Sequence, residues 1–221
     1  ARKATGSYYT PREIVDYMVT QSLIQYFKSH LPSNAELDAK LTELFSTHSL
    51  NNPFDDSTVK RIIQLIESLR IVDPAVGSGA FPMGILNKLV FILSKLDPQN
   101  TLWKQAQIDS LKRSVNDPIV QKKLIFQVEQ QFEDKNADYG RKLYLIEKCI
   151  YGVDIQQIAV EIAKLRFFIS LLVDEKIDPK KPNHGIEPLP NLDFKLMQGN
   201  SLISTFAGID FDNLSNLQYS L

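Results

Sequence analysis

The sequence predicts an α/β fold built on a parallel sheet, and three observations carry that expectation. Three short apolar runs, Leu69 to Asp73, Cys149 to Asp154 and Phe194 to Gln198, each end in an acid or lead into glycine and polar residues. The first two are followed by stretches with helical apolar periodicity, Pro82 to Lys95 and Ile155 to Val173. Strands that alternate with helices imply parallel pairing and right-handed crossovers, here in a three-layer arrangement with a helical insertion between the first two strands.

The elements follow in order. A helix is expected over residues 11 to 28, with Pro11 in the first turn after the capping candidate Thr10, and with Ile14, Val15, Met18, Val19, Ser22, Leu23 and Tyr26 supplying the periodicity. Two more helices are expected near 35 to 46 and 57 to 69, the second capped by Asp56 or Ser57. This mainly helical region, 1–68, precedes the α/β region, 69–221, in which an insertion at about 96–147 is charged and helical. The helix after Asp154 is expected to bury Ile155, Ile158, Ala159, Ile162, Leu165 and Ile169. Four prolines between Asp178 and Asp193 read as a connection without regular ladders.

Bulk properties narrow the function. With 43% hydrophobic and 23% charged residues in 221, the chain is a folded globular protein rather than a disordered or fibrous one. A net charge of −1 and a pI near 6.4 provide no global attraction to nucleic acid, so any DNA contact is local or lies outside this chain. The single cysteine, Cys149, excludes an internal disulfide, and His30, His48 and His184 have no metal-ligand spacing, so no metal is expected. No membrane span or signal peptide is recognisable, and a cytoplasmic setting is expected.

Ligands of open α/β sheets bind beyond the carboxyl ends of the strands, and there the sequence places Asp73 to Gly79, Asp154, and Asn200. Gly77 and Gly79 permit positive φ and close backbone approach, and the helix after them presents free N–H groups. The loop is neither a G-x-G-x-x-G fingerprint nor a P-loop, so a pyrophosphate is disfavoured and an adenosine without phosphates fits better. Asp154 is placed to accept hydrogen bonds from ribose hydroxyls, although it follows the loop at far more than the ~20 residues of a minimal unit.

Asp73-Pro74-Ala75-Val76-Gly77-Ser78-Gly79-Ala80-Phe81 resembles the cofactor loop of the N6-adenine DNA methyltransferases, with Val76 where a cysteine is usual. Thr5-Gly6-Ser7-Tyr8-Tyr9-Thr10-Pro11 resembles the segment that covers the methionine end of the cofactor in the same enzymes. Tyr151 to Ile155 resembles their ribose-binding strand end, and Gln198-Gly199-Asn200-Ser201-Leu202 their adenine-contacting turn. The long insertion is similar to that of large restriction-modification and phage-exclusion methyltransferases, including the Eco57I-like group. The resemblance implies a class I, Rossmann-like S-adenosyl-L-methionine-dependent methyltransferase sheet, incomplete in this chain. It further implies cofactor contacts from Tyr9, Thr10, Asp73, Pro74, Ala75, Gly77, Ser78, Gly79, Phe81, Asp154, Ile155, Asn200 and Ser201, and double-stranded DNA as partner of the full-length protein.

No Asn/Asp-Pro-Pro-Tyr/Phe tetrapeptide occurs, so no catalytic residue is assigned, and the chain is expected to be an inactive cofactor-binding portion that ends as Ile209-Asp210-Phe211 lead into a fourth strand. An unfilled sheet edge would then favour self-association. Simpler readings stand beside these. Asp73 and Asp154 could be helix caps, Thr10 a cap, Tyr8 and Tyr9 packing, Phe81 a helix contact, Cys149 a buried hydrophobe, and Asn200 a left-handed turn residue. Glu133-Asp134-Lys135 matches part of a nuclease motif but lacks flanking strands. A class I methyltransferase acting on protein or RNA, or a non-catalytic methyltransferase-like module, remains an alternative.

Overall fold

The chain enters its first helix, α1 (Arg12–His30), at Pro11, whose carbonyl accepts the amides of Ile14 and Val15, both at 3.1 Å. Pro11 is thus the cap residue, and Thr10 supplies no side-chain cap, one residue out from the expected start. The computed structural model describes residues 10–133, 137–175, 180, 182–185, 190–206 and 209–210. Along α1 the buried stripe is Val15, Val19, Leu23 and Phe27, an i, i+4 row, while Ile14 and Met18 of the expected apolar set stay about half exposed.

Helix α2 (Leu37–Phe45) packs beside α1, and its last carbonyls are closed by Lys95, which donates to the carbonyls of Glu43, Leu44 and Ser46 at 3.3, 2.8 and 2.6 Å. Helix α3 (Asp56–Ser68) is capped by Asp55 rather than by the two expected candidates. Asp55 Oδ1 accepts the amides of Ser57 and Thr58, both at 2.9 Å, and the Ser57 hydroxyl, together with the Thr58 amide and hydroxyl, holds the carboxyl well below its usual range.

Strand β1 (Ile71–Asp73) leads through the glycine loop into α4 (Ala80–Leu96). This helix is apolar around most of its circumference and accordingly central, burying Ile85, Leu86, Leu89, Val90, Ile92 and Leu93 among α1, α2 and α3. The region expected as a helical insertion folds as α5 (Thr101–Ser114), α6 (Pro118–Glu133) and α7 (Ala137–Tyr144). Buried Trp103 anchors α5 edge-on against Tyr144, with ring centroids 5.2 Å apart.

A π-helical turn, Leu145–Cys149, then delivers the chain into β2 (Ile150–Asp154). Cys149 is fully buried there, its thiol donates to the Ile66 carbonyl, and burial pushes its pKa up to about 12, as suits a small hydrophobe. Helix α8 (Gln157–Leu172) and strand β3 (Leu196–Gln198) complete the sheet. The strands run parallel in the order β1-β2-β3, with Ile71 opposite Ile150 and Gly152 opposite Leu196.

Two expectations are corrected. Helix α8 buries Val160, Ala163, Phe167 and Leu171, whereas Ile158, Ile162, Leu165 and Ile169 of the expected inner face lie outside, Ile158 at 67% exposure. The helix is apolar on two faces, and the one bearing small Ala163 turns inward because only a small side chain fits beneath the loop. The sheet is also not sandwiched: among the described residues helices cover the face of Ile71, Ile150 and Leu196, while Val72 on the other face is 64% exposed. Ile209–Asp210 (β5) pairs antiparallel with Thr205–Phe206 (β4) apart from the three-stranded sheet, while Phe211 and the residues after it, expected to lead into a fourth strand, lie outside the described residues.

Candidate functional site

Because the three strands run parallel, their carboxyl ends share one edge of the sheet, and the residues that follow them are tied together there. The Val76 amide donates to the Val153 carbonyl at 2.9 Å, and the Gly77 amide to Asp154 Oδ2 at 2.8 Å. The Gly199 amide reaches the Asp154 carbonyl at 2.9 Å, and Ser201 Oγ donates to the Pro74 carbonyl at 2.8 Å. All three expected strand ends therefore meet.

The loop after β1 owes its shape to its glycines. Gly77 and Gly79 have φ of +50° and +84°, values an L side chain rarely adopts. A Cβ on Gly79 would lie 3.1 Å from Ala163 Cβ, so α8 presses directly on the loop, and one on Gly152 would lie 2.7 Å from Val76 Cγ2. The Gly79 amide closes the turn onto the Val76 carbonyl at 2.9 Å, and α4 starts at once. Among the described residues no acceptor meets the Ala80 and Phe81 amides, and Pro82 has none to offer, so the helix opens with its positive end free.

Asp73 ends β1 in a mixed environment. Its Oδ1 accepts the Ala75 amide at 3.0 Å, but Oδ2 is buried without a partner among the described residues. Burial raises its pKa above the ordinary carboxylate value; the Ala75 amide opposes the shift and the negative charge of Asp154 adds to it. An acid held this way awaits a donor. Asp154 is better satisfied, with Oδ1 on the Gln156 amide at 2.9 Å and Oδ2 on Gly77, leaving each oxygen further lone pairs.

The other expected residues are distributed around this centre. Pro74 and Ala75 are exposed on the rim, Ser78 is half-buried, and Ile155 stands exposed beside Asp154 with its carbonyl accepting Gln198 Nε2 at 3.2 Å. Asn200 has no left-handed backbone; instead its Oδ1 accepts the Leu202 amide at 3.0 Å, an Asx turn. Phe81 lines an apolar cavity of about 340 Å³ with Met18, Leu23, Tyr26, Ile71 and Ile85, so its ring packs against α1. Thr10 lines a second cavity of about 590 Å³ with Arg12, Ala80, Asn87, Lys88 and Arg166. Tyr8, Tyr9 and residues 134–135 of the Glu133-Asp134-Lys135 triplet lie outside the described residues. Also among the described residues, no helix is long and apolar enough to cross a membrane and no cluster of His, Cys, Asp and Glu could hold a metal.

One polar residue at this site escaped the sequence reading. Arg166 on α8 donates from Nη1 to the Ser78 carbonyl at 2.9 Å. Its helical phase was the available signal, since Ala159, Ala163 and Arg166 share a face by 4- and 3-residue spacing.

Residues 148–218 match the Eco57I restriction-modification methylase family model. The match takes in β2, α8 and β3, and with them Asp154, Ile155, Asn200 and Ser201, while the glycine loop precedes it. The chain is also 30% identical over 227 residues to a protein of Methanocaldococcus jannaschii provisionally named a type II restriction enzyme and methyltransferase. The alignment takes in 99% of this chain, which spans only 16% of that relative's length. No solved structure matches significantly. The segment matched by the family model supplies the second and third strand ends of the site, and the chain as a whole is α/β with a small three-stranded parallel sheet and many helices.

Proposed function

We propose that the chain binds S-adenosyl-L-methionine for methylation of adenine N6 in double-stranded DNA, and that its share of the reaction is to hold the cofactor. The observation that carries this reading is Asp73 Oδ2, a buried acceptor without a donor, set beside a helix start whose first amides are open. An amino-acid end matches both features, its ammonium serving Asp73 and its carboxylate the Ala80 and Phe81 amides. The donor set of the site therefore fits the cofactor.

The remaining roles follow the same logic. Asp154 retains lone pairs for ribose hydroxyls, and its bond to Gly77 fixes the ribose acceptor relative to the loop. Gly77, Ser78 and Gly79 let the backbone approach the ligand; Pro74 and Ala75 form the rim, and Phe81 backs the loop from the α1 side. Ile155 offers an apolar flank to the adenine, while Asn200 and Ser201 border it from β3. Tyr9 and Thr10 are assigned to the methionine end. When bound, the cofactor supplies a methyl group on a sulfonium for direct displacement, and the chain contributes orientation. The open sheet face and the outer stripe of α8 support self-association of this chain on its own.

The test combines the full protein with labelled S-adenosyl-L-methionine and duplex DNA, followed by nucleoside analysis. Label in N6-methyladenine is expected. Label in protein or RNA but not DNA would overturn the substrate assignment, and absence of saturable cofactor binding would overturn the reading itself.

A further inference from the structure

Gly79, in the left-handed region at φ +84°, places an easily rotated residue at one end of the Ser78–Gly79 peptide plane. That plane is nevertheless held at both ends. Its N–H donates to the Val76 carbonyl at 2.9 Å, and its carbonyl accepts Arg166 Nη1 at 2.9 Å from a helix that begins 79 residues later in the chain. Arg166 is half-buried, and its guanidinium carries a fixed charge with planar donors, so the bond resists exchange with water more than a neutral one. Gly79 is also the residue from which α4 starts, its carbonyl accepting the Met83 amide at 3.1 Å. A rotation of the Ser78–Gly79 plane would therefore re-aim the Ala80 and Phe81 amides.

We infer that Arg166 is a positioning residue: it locks the Ser78–Gly79 peptide and so aims the open end of α4 at the carboxylate of the bound cofactor. The inference rests on the cofactor reading above and goes beyond it, because Arg166 lies outside the residues to which that reading gives a contact. Its neighbours Ala163 and Asp154 set the same loop from below and from the side, so the strand-helix unit of β2 and α8 acts as the template on which the first loop is moulded. Preorganisation of this kind reduces what binding must spend on ordering the loop.

The test uses Arg166→Met and Arg166→Lys with two probes, S-adenosyl-L-methionine and 5′-methylthioadenosine, which lacks the amino-acid end. Arg166→Met should weaken S-adenosyl-L-methionine about tenfold, the size of one well-placed charged hydrogen bond. Binding of 5′-methylthioadenosine should stay within about twofold, and Arg166→Lys should recover most of the loss. In the ligand-free protein, hydrogen exchange of the Gly79 and Ala80 amides should accelerate in Arg166→Met while the amides of β2 keep their protection. Equal loss for both probes, or unchanged affinity and exchange, would overturn the positioning role. If the unaltered protein binds neither probe, the cofactor reading fails, and the exchange experiment still decides whether Arg166 fixes the loop.

Discussion

The loop after β1 and the turn after β3 end strands of the same sheet and face each other across it, yet they are built differently. The first has two left-handed glycines, a buried half-satisfied acid and ties to β2 and α8 at Val76, Gly77 and Ser78. The second is an exposed Asx turn, held to its neighbours by the Gly199 amide and the Ser201 hydroxyl. The contrast teaches that positive φ and burial gather in one turn and not the other, and on the proposed cofactor reading the first would fix the reactive end of the ligand while the second borders its base.

Substitutions that attack the first loop should therefore have large effects, and those in the second small ones. Asp154→Ala removes a charged acceptor from the Gly77 and Gln156 amides at once; a stability loss of about 3 kcal/mol in denaturant unfolding and a roughly hundredfold weaker cofactor are expected. Gly79→Ala should destabilise by about 2–3 kcal/mol, since it combines a left-handed backbone with a Cβ 3.1 Å from Ala163. Gly77→Ala meets nothing within 4 Å and should lose only about 1 kcal/mol, so thermal melting of the pair separates backbone strain from crowding. Ser201→Ala breaks one exposed bond to Pro74 and should shift stability by about 0.5 kcal/mol and affinity less than threefold. A hundredfold loss there would erase the distinction between the two turns.

Much of this was legible in the sequence for physical reasons. Short apolar runs that end at Asp73, Asp154 and Gln198 became parallel strands, and the glycine spacing fixed the loop because no other residue relieves positive φ at 77 and 79. Helix phase was less legible. Apolar residues occur on both sides of α1 and α8, so periodicity alone could not tell that Phe27 rather than Ile14, and Ala163 rather than Ile162, would turn inward. Caps shifted by one residue, to Pro11 and Asp55, since neighbouring polar residues compete for the same amides. Arg166 was only partly legible: its helical phase put it on the face of Ala159 and Ala163, but its partner is a backbone carbonyl far along the chain, which no local pattern encodes.

The unfilled oxygen of Asp73 is the most direct support for cofactor binding, and Asp73→Asn measured for stability and cofactor affinity together tests it. The carboxyl has its pKa raised in the folded protein, so its contribution to ligand-free stability is present below its unfolded value of about 3.9 and is lost as pH rises through the folded value. At neutral pH the substitution relieves that penalty while the amide oxygen can keep the Ala75 bond, so the ligand-free protein should melt at a slightly higher temperature. Calorimetric titration with S-adenosyl-L-methionine should at the same time show affinity reduced by roughly ten- to hundredfold, the loss of an ion-paired ammonium. For the unaltered protein, affinity should fall as pH drops through the folded pKa of Asp73. A more stable variant that binds less tightly is the predicted result; an Asp73→Asn protein that binds as well as the original would contradict the assignment of this crevice.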